Sequence, residues 1–238
     1  MSLIDDLLAL DDFTLRCQLI VARSTEVEEA IADARNRMFA HSNAHDYDAA
    51  LRVSDVHTAL LSEKKDQIAL AELFVARATL FFTRAGNFTD ESREALEQAI
   101  EIAQQEPRAA PIALTATATL GDYWFIQRDP IRARAYYEQA VRIGSALPPS
   151  PYLAYSFARL GTVNSFEQNY VASIESYALT HELYQQMNDL PRALDAALDL
   201  GNAFVNNAQF DNAKRILEDV EKLAEQTSDK CAFAAYGT

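Results

Sequence analysis

Helix and strand breakers are scarce in this chain: six glycines and seven prolines in 238 residues. Clear period-2 runs of Val, Ile and Thr are also missing, which excludes a sheet architecture. Ala, Leu, Glu, Gln and Arg dominate, so the composition reads as all-helical. No apolar run approaches the length of a membrane span, and Met1-Ser2-Leu3 leads into an acidic helix with no signal-peptide pattern. The two cysteines, Cys17 and Cys231, lie at opposite ends with no paired spacing, the pattern of reduced thiols in a cytoplasmic protein. Basic residues are in deficit, 21 against 35 acidic, giving a net charge of −14. An acidic field repels phosphate backbones and no basic cluster offsets it, which argues against nucleic acid as a partner.

Recognised catalytic patterns are absent too. There is no Gly-rich phosphate loop, nucleophile elbow or paired-carboxylate motif. His41 and His45 are four apart but straddle a turn, and neither they nor His57 have acidic or Cys ligands at recognised spacing. His181 has no nucleophile patterned beside it. The runs Asp5-Asp6 and Asp11-Asp12 read as solvated faces or helix starts. The sequence therefore predicts no catalytic residue, no cofactor, no metal site and no membrane contact.

An internal repeat is present. Leu120-Gly121, Leu160-Gly161 and Leu200-Gly201 recur at intervals of 40. Glycine inside a helix costs stability, so its recurrence marks close packing by another helix. At an offset of 13 from each Leu stand the small residues Ala133, Ser173 and Ala213. Then follow Tyr137, Tyr177 and Leu217, and after them Ala140, Thr180 and Val220. Weaker copies lie upstream: EQAIEI at 97–102 matches EQAVRI at 138–143, and HDYDAALRV at 45–53 resembles QNYVASIES at 168–176.

Pro107, Pro111, Asp129-Pro130, the run Leu147 to Pro151 and Asn188 to Pro191 punctuate these copies, at helix starts where proline is tolerated. The predicted organisation is an N-terminal amphipathic helix within 1–26, then helical hairpins at 27–62, 68–105, 112–145, 151–188 and 191–227. Residues 228–238 read as the start of a further helix capped by Ser228-Asp229, so the natural protein is expected to continue past Thr238.

Together these residues resemble the tetratricopeptide repeat. The fifth hairpin matches with Ala197, Leu200, Gly201, Phe204, Ala213, Leu217 and Val220. The third matches with Thr117, Leu120, Gly121, Trp124, Ala133, Tyr137 and Ala140, and the fourth with Phe157, Leu160, Gly161, Asn164, Ser173, Tyr177 and Thr180. The long period of about 40 residues is similar to a subclass found in bacterial peptide-sensing regulators, sensor segments of signalling proteins and eukaryotic polarity adaptors. QQMNDLPRALDAALDLGNAF at 185–204 carries that pattern. The resemblance implies an all-α fold, an α-α superhelix or solenoid of about five hairpins with an N-terminal helix. It also implies a concave groove lined by the first helices, binding of peptides or protein segments, and no enzyme activity.

Transferring the family's groove positions gives Thr115, Asp122, Phe125 and Ile126 in the third hairpin. The fourth gives Tyr155, Thr162 and Phe166, and the fifth Asp195, Leu198, Asn202, Val205 and Asn206. Where chaperone adaptors grip a carboxylate with cations, this chain has Ala118/Asp122, Ala158/Thr162 and Leu198/Asn202, which argues against a C-terminal-tail ligand. An apolar groove calls for a cover. The covers in play are a partner's protein or peptide segment, the protein's own downstream domain, a second subunit of a homodimer, and a small molecule.

Three functions follow. The first is an interaction scaffold, the regulatory or sensor segment of a longer bacterial signalling protein. The second is a cytoplasmic peptide-sensing regulator, and the third an enzyme on a helical scaffold.

Overall fold

A computed structural model of the chain describes residues 2–227, with side chains to Glu221. All regular structure among them is helical. The helices are α1 (Leu3–Leu8), α2 (Phe13–Ala22), α3 (Val27–Asn43), α4 (Tyr47–Lys64), α5 (Gln67–Ala85) and α6 (Asp90–Gln105), then α7 (Ala110–Ile126), α8 (Pro130–Gly144), α9 (Pro151–Phe166), α10 (Tyr170–Gln186), α11 (Leu190–Asn206) and α12 (Phe210–Thr227). Two compact units divide the chain between Ile126 and Gln127. The predicted helix around Ser228-Asp229 and Cys231 lies outside the described residues.

One expectation is corrected at the N-terminus. The single amphipathic helix expected within 1–26 is two helices broken at residues 9–12. Asp12, read from sequence as a solvated face or a helix start, caps α2 by accepting from the Leu15 amide at 2.9 Å. Arg16 Nε donates to the carbonyls of Leu7 (3.2 Å) and Leu10 (2.7 Å), satisfying acceptors that a continuous helix would have bonded internally. Arg37 reaches Asp5 at 2.8 Å and Arg23 pairs with Asp6, which ties α1 down. Ser2 and Arg37 hydrogen bonds hold the Asp5 carboxyl at a pKa of about 2. Leu3, Ile4 and Leu7 join Ile20, Ile31, Val56, Leu60 and Leu70 in one core shared by α1 to α5.

Five of the turns between helices share one backbone solution. His45, Lys65, Gln168, Asn188 and Ala208 all have φ between 55° and 61°. In each case the next residue's amide bonds five residues back, as from Asp46 to His41 (2.9 Å), Asn169 to Asn164 (2.8 Å) and Gln209 to Phe204 (2.8 Å). The left-handed residue's own amide bonds three back, the Schellman arrangement that satisfies the last carbonyls of a helix. Asp46, Asp66 and Asp189 then accept from the amides of Ala49, Ala69 and Arg192, so one residue closes a helix and caps the next. Such a turn folds each helix straight back onto its predecessor.

Packing accordingly runs between chain neighbours. In the first unit α3 to α7 each pack against the next, and in the second α8 to α12 do so. The second unit buries Ala133, Tyr137 and Ala140 on α8, Leu160 and Val163 on α9, Tyr177 and Leu183 on α10, and Leu194, Ala197 and Leu200 on α11.

Gly161 and Gly201 show what the repeated glycine does. A Cβ on Gly161 would lie 2.9 Å from the Tyr177 ring, and one on Gly201 would lie 3.3 Å from Leu217 Cδ2. The glycines thus make room for the residue at offset 17 from the Leu. The small residue at offset 13 allows a direct backbone contact instead, as where Ser173 Oγ donates to the Gly161 carbonyl at 3.0 Å.

Candidate functional site

In the second unit, α11 buries Ala193, Leu194, Ala196, Ala197, Leu200, Gly201 and Ala203. What remains is one stripe at helical spacing. Asp195, Asn202, Val205 and Asn206 are exposed on it and Leu198 is half-buried. Asp199 shares the stripe one turn from Asp195. Its side is open to solvent, yet its carboxyl is pushed above the ordinary carboxylate range, first by desolvation and then by Asp195.

On α9 the corresponding stripe is Tyr155, Arg159, Thr162 and Phe166. Phe166 is 73% exposed, whereas Tyr155, Arg159 and Thr162 are half-buried. Arg159 Nε donates to the Tyr155 hydroxyl at 2.9 Å and its guanidinium sits 5.2 Å from that ring's centre. Thr162 Oγ1 donates to the Ala158 carbonyl at 3.1 Å, so the Tyr177 hydroxyl is the donor in their 3.1 Å hydrogen bond. Burial pushes the Tyr177 phenol up, and it feels Asp199 and Arg159 from the two flanking helices. Ala158 of α9 shares an apolar cluster with Leu200, Ala203 and Phe204 of α11. Within this unit the α9 and α11 stripes are therefore neighbours, with Tyr177 between them.

The remaining candidates stand on α7 in the first unit. Thr115, Asp122 and Phe125 are half-buried and Ile126 is exposed. Thr115 Oγ1 donates to the Pro111 carbonyl at 3.0 Å, so its hydroxyl proton is committed. Sequence reasoning missed Phe82 here. It occupies the register of Asp122 one repeat earlier, since Leu80 aligns with Leu120, although Phe81 stands where the later copies carry glycine. The Phe82 and Phe88 rings meet at a tilt with centres 4.7 Å apart, Phe88 meets Tyr123 at 6.2 Å, and the Tyr123 hydroxyl donates to Asp90 at 3.0 Å.

The histidines do not converge. His41 lies 3.7 Å from Asp46, His45 hydrogen-bonds the Tyr47 hydroxyl at 2.7 Å, and His181 Nδ1 meets the Ala193 carbonyl at 2.7 Å. His57 is buried on α4 with both ring nitrogens unpartnered, and desolvation, helped by Arg35, lowers its pKa to about 4. Among the described residues no group of three or more His, Cys, Asp or Glu is placed to hold a metal ion. None of the described helices is long and apolar enough to cross a membrane.

This helix order and packing are similar to those of solved tetratricopeptide-repeat structures. The Bacillus subtilis aspartyl phosphate phosphatase F superimposes with a TM-score of 0.70 at 14% identity, over 90% of this chain and 55% of that one. A Pyrococcus horikoshii signal-transduction ATPase with numerous domains, which carries a tetratricopeptide-repeat sensor, gives 0.71 at 13% identity, over 92% of this chain and 36% of that one. The tetratricopeptide-like repeats of a kinesin light chain-type protein from Podosopora anserina give 0.60 at 17% identity, over 86% of this chain and 97% of that one. The chain thus spans about half of the phosphatase and about a third of the ATPase. No family model and no curated protein matches the sequence. At these identities the similarity establishes the fold, an all-α repeat of tetratricopeptide type, and nothing further about activity.

Proposed function

We propose that the chain is a non-catalytic scaffold that binds a protein or peptide segment, and that it serves as the regulatory or sensor part of a longer bacterial signalling protein. The observation that carries this reading is the pair of adjacent stripes on α9 and α11. They present Phe166, 73% exposed, and Val205, 46% exposed, beside hydrogen-bonding groups on Asn202 and Asn206. Apolar side chains in water beside amide donors and acceptors suit a segment that supplies its own backbone hydrogen bonds. The α7 positions Thr115, Asp122, Phe125 and Ile126 carry the same reading in the first unit.

Selection of phage-displayed random dodecapeptides on the full chain tests the proposal. Enriched peptides should bind the purified chain saturably, and Phe166→Asp with Val205→Asp should weaken them at least tenfold while helical circular dichroism stays unchanged. Failure to enrich any peptide over the unselected library would contradict the scaffold reading. A second reading, a free peptide-sensing regulator, draws on the likeness to the phosphatase and to the ATPase that carries a sensor. It differs in requiring that binding of a free short peptide change the radius of gyration of the chain, measurable by small-angle scattering.

A further inference from the structure

The charges on the second unit point to the chemistry of the segment that docks there; this rests on the scaffold reading above. Residues 151–221 contain four Lys or Arg: Arg159, Arg192, Lys214 and Arg215. Each is engaged. Arg159 donates to the Tyr155 hydroxyl, Arg192 pairs with Asp189 at 2.6 Å, Lys214 lies 3.8 Å from Glu218, and Arg215 donates to Asn212 at 2.6 Å. Asp195 and Asp199, in contrast, form no ion pair among the described residues. They stand one helical turn apart on the exposed stripe of α11, on the same face as Leu198, Asn202 and Val205. Two carboxylates so placed repel each other, and the desolvation felt at Asp199 adds to the cost of keeping both ionised.

We infer that the α9–α11 face docks a cationic amphipathic segment of a partner protein. Two Lys or Arg side chains of that segment, about 6 Å apart, meet Asp195 and Asp199, and its apolar side chains cover Leu198, Val205 and Phe166. A cation there relieves the repulsion between the two carboxylates and offsets the desolvation felt at Asp199. The net charge of −14 acts in the same direction at long range by steering basic partners toward the chain. An acidic segment or a second copy of this chain would bring further negative charge to the same two carboxylates.

The peptides selected on the full chain supply the test. Enriched sequences should carry a surplus of Lys and Arg over the unselected library. Their affinity should fall as salt is raised from about 50 to about 300 mM, which shortens the screening length from roughly 14 to roughly 6 Å. Asp195→Asn with Asp199→Asn should weaken the cationic peptides at least tenfold. The charge-matched control, Glu101→Gln with Glu175→Gln on exposed sites of α6 and α10, should change them less than twofold. Replacing the Lys and Arg of a selected peptide by Glu should abolish its binding to the unaltered chain, which keeps the test independent of how the variants fold. Enriched peptides without a basic surplus, bound equally well by Asp195→Asn/Asp199→Asn, would overturn the cationic assignment and leave the scaffold reading standing. No enrichment at all would overturn both.

Discussion

The fourth and fifth hairpins, α9–α10 and α11–α12, share a period and a turn but close by different chemistry. Between α9 and α10 the contact is polar. Ser173 donates to the Gly161 carbonyl, Ser165 and Ser173 hydroxyls meet at 2.7 Å, Tyr177 bonds Thr162, and Thr180 Oγ1 lies 3.3 Å from the Ala154 carbonyl. Asn164 donates to Ser176 at 3.5 Å and leaves its own carbonyl oxygen buried without a partner. Between α11 and α12 the equivalent positions are Ala213, Leu217, Val220 and Phe204; Val220 clusters with Leu194, Ala197 and Ile216, and Phe204 with Leu200 and Ile216. The same backbone arrangement is thus reached by hydrogen bonds in one copy and by apolar packing in the other. A polar contact specifies one register because a shift would orphan its buried groups. An apolar contact tolerates small slides and repacking.

The largest expected contrast lies at the residue facing each glycine. Tyr177 is 7% exposed and Leu217 42% exposed at equivalent positions. Tyr177→Ala should cost about 3–4 kcal/mol by chemical denaturation, as for a buried aromatic, and Leu217→Ala about 1 kcal/mol or less. Equal costs would break the distinction. Next come the glycines. Gly161→Ala drives a Cβ to 2.9 Å from the Tyr177 ring, which is buried and hydrogen-bonded. Overpacking should outweigh the gain in helix propensity, for a net loss of about 1–2 kcal/mol. Gly201→Ala meets the ends of two side chains that are not fully buried, Leu217 Cδ2 at 3.3 Å and Ile216 Cγ2 at 3.4 Å, so the propensity gain should prevail and leave stability unchanged or up to about 1 kcal/mol higher.

Ser173→Ala converts one position of the fourth hairpin to the residue the fifth carries. It removes the bond to the Gly161 carbonyl and orphans the Ser165 contact, a loss of about 1 kcal/mol in the same measurement. The smallest effect should be common to both hairpins. Gln168 and Ala208 hold φ values of 61° and 55°, where a Cβ is strained. Gln168→Gly and Ala208→Gly should each raise stability by about 0.5–1 kcal/mol. Opposite signs would show that the two turns are not alike.

Much of this was legible because local rules set it. Asn188-Asp189 and Asp129-Pro130 fall at helix junctions, where a capping carboxylate and a proline both favour a start. The Leu-Gly register also fixed the α11 stripe, since one buried face defines the exposed one. The break at residues 9–12 was not legible, because it depends on Arg16 folding back to the Leu7 and Leu10 carbonyls. The half-burial of Tyr155 and Thr162 was also hidden: Arg159 bonds Tyr155 from one turn along the same helix, and Tyr177 reaches Thr162 from α10. Left-handed turns at Gln168 and Ala208 carry no glycine to announce them. Phe82 was missed because it lies in a weaker copy, whereas the groove positions came from the three hairpins with the clearest repeat.

The binding claim rests on the side of the helices that α9 and α11 turn to solvent, and α10 offers an internal control. Leu179, also exposed, lies on α10 away from that stripe. The most direct measurement is a calorimetric titration of a selected peptide into three proteins: the unaltered chain, Phe166→Asp and Leu179→Asp. Binding lost at least tenfold in Phe166→Asp and kept within twofold in Leu179→Asp is the expected result. Equal loss in both variants, or loss only in Leu179→Asp, would contradict it.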